Sequence, residues 1–148
     1  RYQIQVANPG GQSTAGWIQL VSVAPDIAAT DAGFALAEHT DYRLISAGSP
    51  ARPGETVILY LAGMGVTTPR VDSGVPSPAG GTAQPAVSPT LTVNGSPVTI
   101  DFAGLSPASV GLYQVNFRVP ADAPAGLSKI VVTKGTQQSN AVYLPVQP

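Results

Sequence analysis

The side chains best suited to acid–base or metal chemistry lie in one short segment. Glu38, His39 and Asp41 are followed by Arg43, and His39 is the only histidine of the chain. A serine hydrolase needs a histidine beside a serine and an acid that orients it, and a metal ion needs several converging ligands. Because ligands from a single turn converge poorly, we predict a solvated turn here and no metal site.

Two further patterns that could carry chemistry are incomplete. Two carboxylates across a cleft would permit glycoside hydrolysis, but Glu55 lies in a predicted turn and Asp101 on the outward face of a predicted strand. The segment Gly63-Met64-Gly65 is half of a glycine-rich loop, yet no predicted helix follows it to cradle a phosphate. We therefore predict no catalytic residue and no cofactor, and the protein is predicted not to be an enzyme.

The composition narrows the classes of partner. Only 10% of the 148 residues are charged and the net charge is −1, whereas a typical soluble domain is about 25% charged. No basic patch is visible, so we predict no nucleic-acid partner. The absence of cysteine excludes disulfides and thiol chemistry, and no apolar run reaches the roughly 18 residues of a membrane span. A weakly charged surface favours association.

The first and last segments of the sequence are copies of one element. Residues 4–20 align without a gap with residues 130–146, which lie 126 positions later. The identical pairs are Ile4/Ile130, Val6/Val132, Gln12/Gln138, Ser13/Ser139 and Ala15/Ala141, and Trp17, Ile18 and Leu20 align with Tyr143, Leu144 and Val146. Repetition of a supersecondary unit indicates an array in which neighbouring units complete one another.

Turn residues divide the sequence into short strands. The chain has 15 prolines and 16 glycines, and no segment keeps a helical period. Residues 56–62 form a nearly continuous apolar run, residues 112–119 alternate between apolar and polar, and Asn94-Gly95 predicts a hairpin turn. Another hairpin is predicted within residues 34–46. The predicted fold class is all-β, an immunoglobulin-like antiparallel β-sandwich preceded by an extra N-terminal β-hairpin.

The N-terminal copy is predicted to be a separate structural unit. Residues 2–6 and 16–23 are predicted strands around the turn residues 8–11, so residues 1–23 form a hairpin and residues 24–148 the sandwich. A hairpin alone is marginal in water, and its apolar side chains need a partner that covers them. The predicted assembly interface consists of Ile4, Val6, Trp17, Ile18 and Leu20 with their C-terminal counterparts Ile130, Val132, Tyr143 and Leu144.

The loop of residues 65–88 is unusually long. It contains Pro69, Pro76, Pro78 and Pro85, and structureless loops above about 12–15 residues are uncommon in compact domains. We expect an extended, partly polyproline segment on the surface. Two interpretations stay open, a disordered connector or an arm that lies on a neighbouring subunit.

The aromatic residues define no ligand site by their spacing. Trp17 and Tyr143 occupy matching positions of the repeat and are interpreted as strand-packing residues, with a sugar-stacking platform as the alternative. The spacing of Tyr2, Tyr42 and Tyr60 indicates no groove. Surface glycans therefore stay an open class of partner without assigned residues.

Two stretches of the sequence resemble a known family. Residues 103–120, AGLSPASVGLYQVNFRVP, and residues 53–65, PGETVILYLAGMG, resemble the Solibacter-type C-terminal domain, an uncharacterised family of bacterial exported proteins. The resemblance covers about residues 24–148. It implies export and a sandwich fold, in company with immunoglobulin-like repeats, and it brings no catalytic or ligand-binding residues.

The interpretation that joins these patterns is structural. We predict a bacterial extracellular or cell-surface subunit that assembles head to tail into a filament or surface array by strand or hairpin complementation. Its partners are copies of itself or adjacent domains of the same protein, because the hairpin of residues 1–23 suits either arrangement. The alternative is a cell-surface adhesion or carbohydrate-binding module at the end of a larger secreted protein.

Overall fold

The fold is built from strands and turns. The computed structural model describes residues 1–80 and 83–147, and this part of the chain contains no helix. Its strands are β1 (Tyr2–Ile4), β2 (Ala7–Asn8), β3 (Gly11–Gln12), β4 (Gly16–Ile18), β5 (Asp26–Ile27), β6 (Ala37–His39), β7 (Thr56–Ala62), β8 (Thr67–Thr68), β9 (Gln84–Pro85), β10 (Thr90–Val93), β11 (Ser96–Pro97), β12 (Ile100–Leu105), β13 (Tyr113–Arg118), β14 (Gly126–Lys134), β15 (Gln137–Gln138) and β16 (Val142–Val146). The described residues accordingly include no helix capable of spanning a membrane.

Two antiparallel sheets enclose one core. Sheet I has the order β11-β10-β14, and the other side of β14 pairs with β15 and β16. Sheet II has the order β12-β13-β7, and the other side of β7 pairs with β5 and β6. Buried apolar side chains from both sheets form a single cluster. The predicted all-β sandwich is confirmed, whereas its immunoglobulin-like type stays a prediction.

The two faces of sheet II follow from alternation along β13. Tyr113, Val115 and Phe117 are buried in the core, and Gln114 and Asn116 lie on the opposite face. The neighbouring β7 has the bounds that its apolar run predicted, and the pairing with β13 covers one of its edges while β5 and β6 cover the other. Sheet II therefore has a second face, opposite the core, on which the side chains of Gln114 and Asn116 lie.

Both hairpin turns predicted inside the sandwich are present. Asn94 and Gly95 have φ values of 51° and 85°, the left-handed conformation that a two-residue hairpin turn needs, and they join β10 to β11. The chain then crosses to sheet II, so residues 100–105 pair with β13 instead of completing the hairpin with β10. The other hairpin is closed by Ile45 N–H, which donates to Ala37 O at 2.8 Å.

The long loop lies on the chain's own sandwich. Leu105 N–H of β12 donates to Ala83 O at 2.8 Å, and Ser77 N–H donates to Ser109 O at 2.9 Å. Ser77 and Ala83 are buried, and β8 pairs with β9 inside the loop. The described residues of the loop therefore cover the edge of β12 in their own chain, and contact of its exposed residues with a neighbouring subunit stays a prediction.

Candidate assembly interface

The two copies of the repeat form the same hairpin. Ile4 pairs with Gly16 across β1 and β4, and Ile130 pairs with Val142 across β14 and β16. The pairs of β2 with β3 recur in the same way as the pairs of β14 with β15. Each pair of the first hairpin thus has a counterpart 126 positions later, so the shared sequence sets one register in both places.

A serine hydroxyl fixes both hairpins in the same way. Val6 N–H donates to Ser13 Oγ at 3.0 Å, and Ser13 N–H donates to Val6 O at 2.8 Å. Val132 and Ser139 make the same two bonds at 3.0 and 2.8 Å. The hydroxyl accepts an amide that the strand ladder leaves unpaired near the turn. This part of the hairpin is therefore specified locally, whatever lies around it.

Exposure separates the predicted interface residues into two sets. Ile4 is 48% exposed, whereas its counterpart Ile130 is 0% exposed. The exposed N-terminal set is Ile4, Val6, Trp17, Ile18 and Leu20. The C-terminal set lies in the core of the chain, apart from the partly exposed Tyr143, and comprises Ile130, Val132 and Leu144. Of the nine predicted interface residues, the five of the N-terminal set and Tyr143 are exposed, and the other three are buried.

Strands from elsewhere in the chain cover the C-terminal hairpin. β10 pairs along one side of β14, and two parallel bridges, at Tyr143 and Val146, run along the outer edge of β16. Ile27 N–H donates to Asn140 Oδ1 at 2.7 Å, and Asn140 Nδ2 donates to Ile27 O at 2.9 Å. The first hairpin carries Thr14 in place of Asn140, so it lacks the side chain that makes this double contact.

The N-terminal hairpin has no comparable cover in this structure. Within the described residues, every hydrogen bond of residues 1–20 has its partner in the same segment. An isolated hairpin is marginally stable in water, and full burial of a large apolar side chain contributes about 1.5–3 kcal/mol. The hairpin therefore exposes apolar side chains whose burial would be favourable.

Two glycines hold the segment that connects the hairpin to the sandwich. Ala24 N–H donates to Gly63 O at 2.9 Å. A Cβ at Gly63 would lie 1.8 Å from Ala24 O, and one at Gly65 would lie 2.7 Å from Ser22 O. Both glycines also have φ above +70°, which side-chain-bearing residues rarely adopt. The segment Gly63-Met64-Gly65 is therefore the site where the connecting segment binds, and we call Gly63 and Gly65 the dock.

The carbonyls beside this dock are each held by a donor from another strand. Lys134 Nζ donates to Met64 O, and Tyr113 OH donates to Gly65 O. Burial away from water lowers the pKa of Lys134 and raises the pKa of Tyr113. Lys134 is only 5% exposed, and the first hairpin has Asn8 at the same position of the repeat. These two hydrogen bonds hold the backbone of the dock in place, and the one from Lys134 occurs only in the C-terminal copy of the repeat.

The chain enters and leaves the sandwich at opposite ends of β7. Ala24 is bound at Gly63, just beyond the C-terminal end of β7. Gln147 N–H donates to Ala51 O at 2.9 Å, and Gln147 shares a cavity with Thr56 at the N-terminal end of β7. The 7 residues of β7 span about 20 Å. The points where the chain enters and leaves the sandwich are therefore separated along the length of β7.

The prediction of a solvated turn is wrong for His39. The ring is buried, with Nδ1 3.0 Å from Glu55 Oε1 and Nε2 3.1 Å from Ser49 Oγ and 3.2 Å from Ser49 O. This order of groups resembles a serine–histidine–acid triad. However, Nε2 is shared between the hydroxyl and a backbone carbonyl, and Glu55 Oε1 accepts no well-directed hydrogen bond from the described residues. We interpret the cluster as a tie between two turns.

Two other charged residues of that segment, Asp41 and Arg43, do lie in solvent, whereas Glu38 is half-buried. Asp41 and Arg43 are exposed, and the hydrogen bond from Arg43 Nε at 2.8 Å lowers the pKa of Asp41. Asp101 is also exposed and accepts a hydrogen bond from Thr56 Oγ1 at 3.1 Å. No group of three metal-ligating side chains occurs among residues 1–80 and 83–147. The predictions about enzyme activity and cofactors stay predictions.

A groove lies on the outer face of sheet II. Tyr60 OH donates to Glu38 Oε2 at 2.8 Å, and burial together with this bond raises the pKa of Tyr60 to about 12. The fold brings Tyr42 and Tyr60 to one cavity, so the interpretation that these tyrosines define no groove is wrong. The cavity has a volume of about 500 Å³ and its lining includes Tyr42, Tyr60, Phe102, Gln114 and Asn116.

Comparison with known proteins adds no assignment to these surfaces. No family model, curated protein or solved structure matches the chain. The resemblance to the Solibacter-type domain, the extracellular location and the self-assembly therefore stay predictions. Sequence reasoning did not predict the dock at Gly63 and Gly65, for which the only signal was a pair of glycines around one methionine. It also did not predict the groove, because the spacing of the groove residues in the sequence gave no signal.

Proposed function

We propose that the chain is a structural module of an extracellular head-to-tail array that is joined by β-hairpin complementation. The hairpin of residues 1–20 completes the sandwich of a neighbouring module, as residues 127–146 complete the sandwich of this one. The observation that carries this proposal is a pair of hairpins with one register and opposite burial. Burial of the exposed apolar set supplies the driving force for the joint.

The neighbour that fits best is a related module rather than a second copy of this chain. In a second copy, residues 127–146 already fill the place that the incoming hairpin would take. The fit is also poor, since Tyr2 aligns with the fully buried Ser128 and Gly16 aligns with the buried Val142. Overpacking at one position and a void at the other both destabilise a core. The partner is therefore a module with a different core.

The simplest such partner is a module that precedes this one in the same polypeptide. The connecting segment at Ser22–Ala24 is held against the dock of Gly63 and Gly65, which would fix the angle between successive modules. The opposite positions of Ala24 and Gln147 along β7 favour a linear array. The filament predicted from the sequence is the rival arrangement, in which the hairpin would bind a second copy of this chain.

The proposed location is the bacterial cell surface or the extracellular space. Two features support it, the resemblance of residues 53–65 and 103–120 to an exported family and the low content of charged residues, 10% of the chain. A nearly neutral surface favours association with other modules over dispersal in solution.

Sedimentation of the purified chain tests the choice of neighbour. We expect a monomer for the 148-residue chain and for a variant that lacks residues 1–23, because the missing partner is another module. Large polymers that disappear in the deletion variant would contradict a preceding module and favour the filament of identical chains. Polymers of unchanged size in the deletion variant would contradict hairpin complementation altogether.

A second candidate function is an adhesion or carbohydrate-binding module. One observation favours it, the aromatic groove on the outer face of sheet II. This candidate needs no neighbour for the N-terminal hairpin, so it leaves the exposure of Ile4, Val6 and Leu20 unexplained. The two functions use different residues, and one array module can carry both.

A further inference from the structure

We propose that the groove of Tyr42, Tyr60, Phe102, Gln114 and Asn116 binds a neutral saccharide. The site shares no residue with the N-terminal hairpin or with the dock at Gly63 and Gly65. It rests on the second candidate function, the carbohydrate-binding module, and it does not depend on the array, because the two proposals use different residues.

Strand register builds the floor of the groove. Gly104 of β12 pairs with Gln114 of β13, and Gln114 pairs in turn with Tyr60 of β7. Two residues farther along the strands, and on the same face, Phe102 pairs with Asn116. Directly paired residues present their side chains on the same face of a sheet, so aromatic rings flank two amide side chains across three strands. A floor held by a sheet is rigid before a ligand arrives.

Two aromatic side chains offer surfaces on which a sugar ring can stack. A Cβ at Gly104 would lie 2.6 Å from Phe102 Cζ, so the Phe102 ring leans along its own strand over the glycine. A glycine inside a strand often marks such a close approach. Tyr42 lies at the hairpin tip with φ of 63° and is 72% exposed. An exposed aromatic beside a covered one suits a ligand with an apolar face and polar edges.

The polar groups of the groove suit hydroxyls. Gln114 Nε2 donates to Asn116 Oδ1 at 2.8 Å, which orients both amides and leaves Gln114 its Oε1 acceptor and Asn116 its Nδ2 donors for a ligand. The hydroxyl hydrogen of Tyr60 is donated to Glu38, so the hydroxyl oxygen is available to a ligand only as an acceptor. A hydroxyl both donates and accepts, and it can use each of these groups.

Other ligand classes match the groove less well. The side chains that line it among the described residues are uncharged, which disfavours an ionic ligand because a buried charge needs a partner. A proline-rich peptide also binds aromatic grooves, but it offers mainly carbonyl acceptors since proline has no amide hydrogen. Such a peptide would leave the free acceptors of the groove, Gln114 Oε1 and the Tyr60 hydroxyl oxygen, without a donor.

Titration with defined oligosaccharides tests the site. The 148-residue chain is titrated with cellohexaose, xylohexaose, mannohexaose and maltohexaose while NMR follows the side-chain amide signals of Gln114 and Asn116. We expect a saturable shift with at least one of the four. Tyr42→Ala and Phe102→Ala each weaken this binding about tenfold, because each removes a stacking surface. The matched control Tyr2→Ala removes a similarly exposed tyrosine outside the groove and leaves the binding unchanged.

Three results would overturn the assignment: no saturable shift with any of the four sugars, equal binding by the Tyr42→Ala chain, or tighter binding of a decaproline peptide. If Phe102→Ala unfolds the chain, Tyr42→Ala still decides, since that side chain is 72% exposed. Sedimentation of the same variants is expected to stay unchanged. A failure of the sugar site therefore leaves the array proposal standing, and polymerisation of the chain leaves the sugar site standing.

Discussion

The N-terminal and C-terminal hairpins show which part of a fold is local and which part its surroundings supply. Both have the same register, and both bind a valine amide to a serine hydroxyl, Ser13 in one and Ser139 in the other. Nevertheless, one hairpin places its apolar side chains in a core and the other exposes them. The sequence of the hairpin itself determines its turn and register, whereas the burial of its apolar side chains depends on strands from elsewhere in the chain.

The largest expected difference between the hairpins concerns their matched isoleucines. Ile130→Ala should lower the free energy of unfolding by about 2–5 kcal/mol, because it removes a fully buried side chain from the core. Ile4→Ala should change it by less than about 0.5 kcal/mol, because Ile4 is exposed. Urea unfolding of both variants makes the comparison. A similar loss in the two variants would mean that the N-terminal hairpin is covered in solution.

A smaller difference is expected where the hairpins diverge in sequence. Asn140→Ala removes both hydrogen bonds to Ile27 and should cost about 1–2 kcal/mol of unfolding free energy, at about 1 kcal/mol for each bond. Thr14→Ala at the matched position should cost less than about 0.5 kcal/mol. Thermal unfolding of the two variants separates them. If Thr14→Ala proved the costlier change, Thr14 would have a contact partner that this account does not include.

The smallest expected difference depends on pH and concerns Lys134 and its counterpart Asn8. Burial lowers the pKa of Lys134 below its usual value of 10.5, so between these two pKa values the unfolded chain binds more protons than the folded chain. The contribution of Lys134 to stability therefore rises as pH increases through that window. Relative to Lys134→Met, the unmodified chain should gain stability from pH 7 towards pH 10.

Urea unfolding at several pH values measures this gain, and Asn8→Met is its control. Asn8 carries no titrating group, so the difference between the unmodified chain and the Asn8→Met chain should be flat over the same range. A flat difference for Lys134→Met as well would show that the Lys134 ammonium stays in water, against the burial seen beside Met64 O.

The comparison also explains how far the sequence could predict the fold. The bounds of β7 and the Asn94-Gly95 turn followed from patterns inside short segments, because strand alternation and turn chemistry act locally. The pairing of the first hairpin followed in the same way, although β4 ends at Ile18 and not at residue 23 as predicted. The crossing of residues 100–105 to sheet II did not, since it depends on pairing with β13, which is remote in sequence. Nothing in the sequence of β10 and β11 indicates where the next strand pairs.

The surfaces were harder to predict than the strands. The exposed N-terminal set, which includes Ile4, Val6 and Leu20, could be found because the C-terminal copy of the repeat allowed the two hairpins to be compared. The groove has no such copy, and its residues come from β7, β12, β13 and a hairpin tip whose alignment is set by tertiary register. His39 was missed for the same reason, because its partners Ser49 and Glu55 lie in two other turns.

Amide hydrogen exchange at Val6 and Val132 tests the central claim most directly. Both amides bind a serine hydroxyl at 3.0 Å, so once each exchange rate is corrected for the intrinsic rate set by its neighbouring side chains, the remaining difference reports the stability of the surrounding structure. In the 148-residue chain, Val6 should exchange far faster than Val132. In an extended chain with residues 23–126 repeated ahead of Arg1, and with Tyr2→Ser and Gly16→Val to match that core, Val6 should become as protected as Val132. Equal protection of the two amides in the 148-residue chain, or no gain at Val6 in the extended chain, would contradict the account.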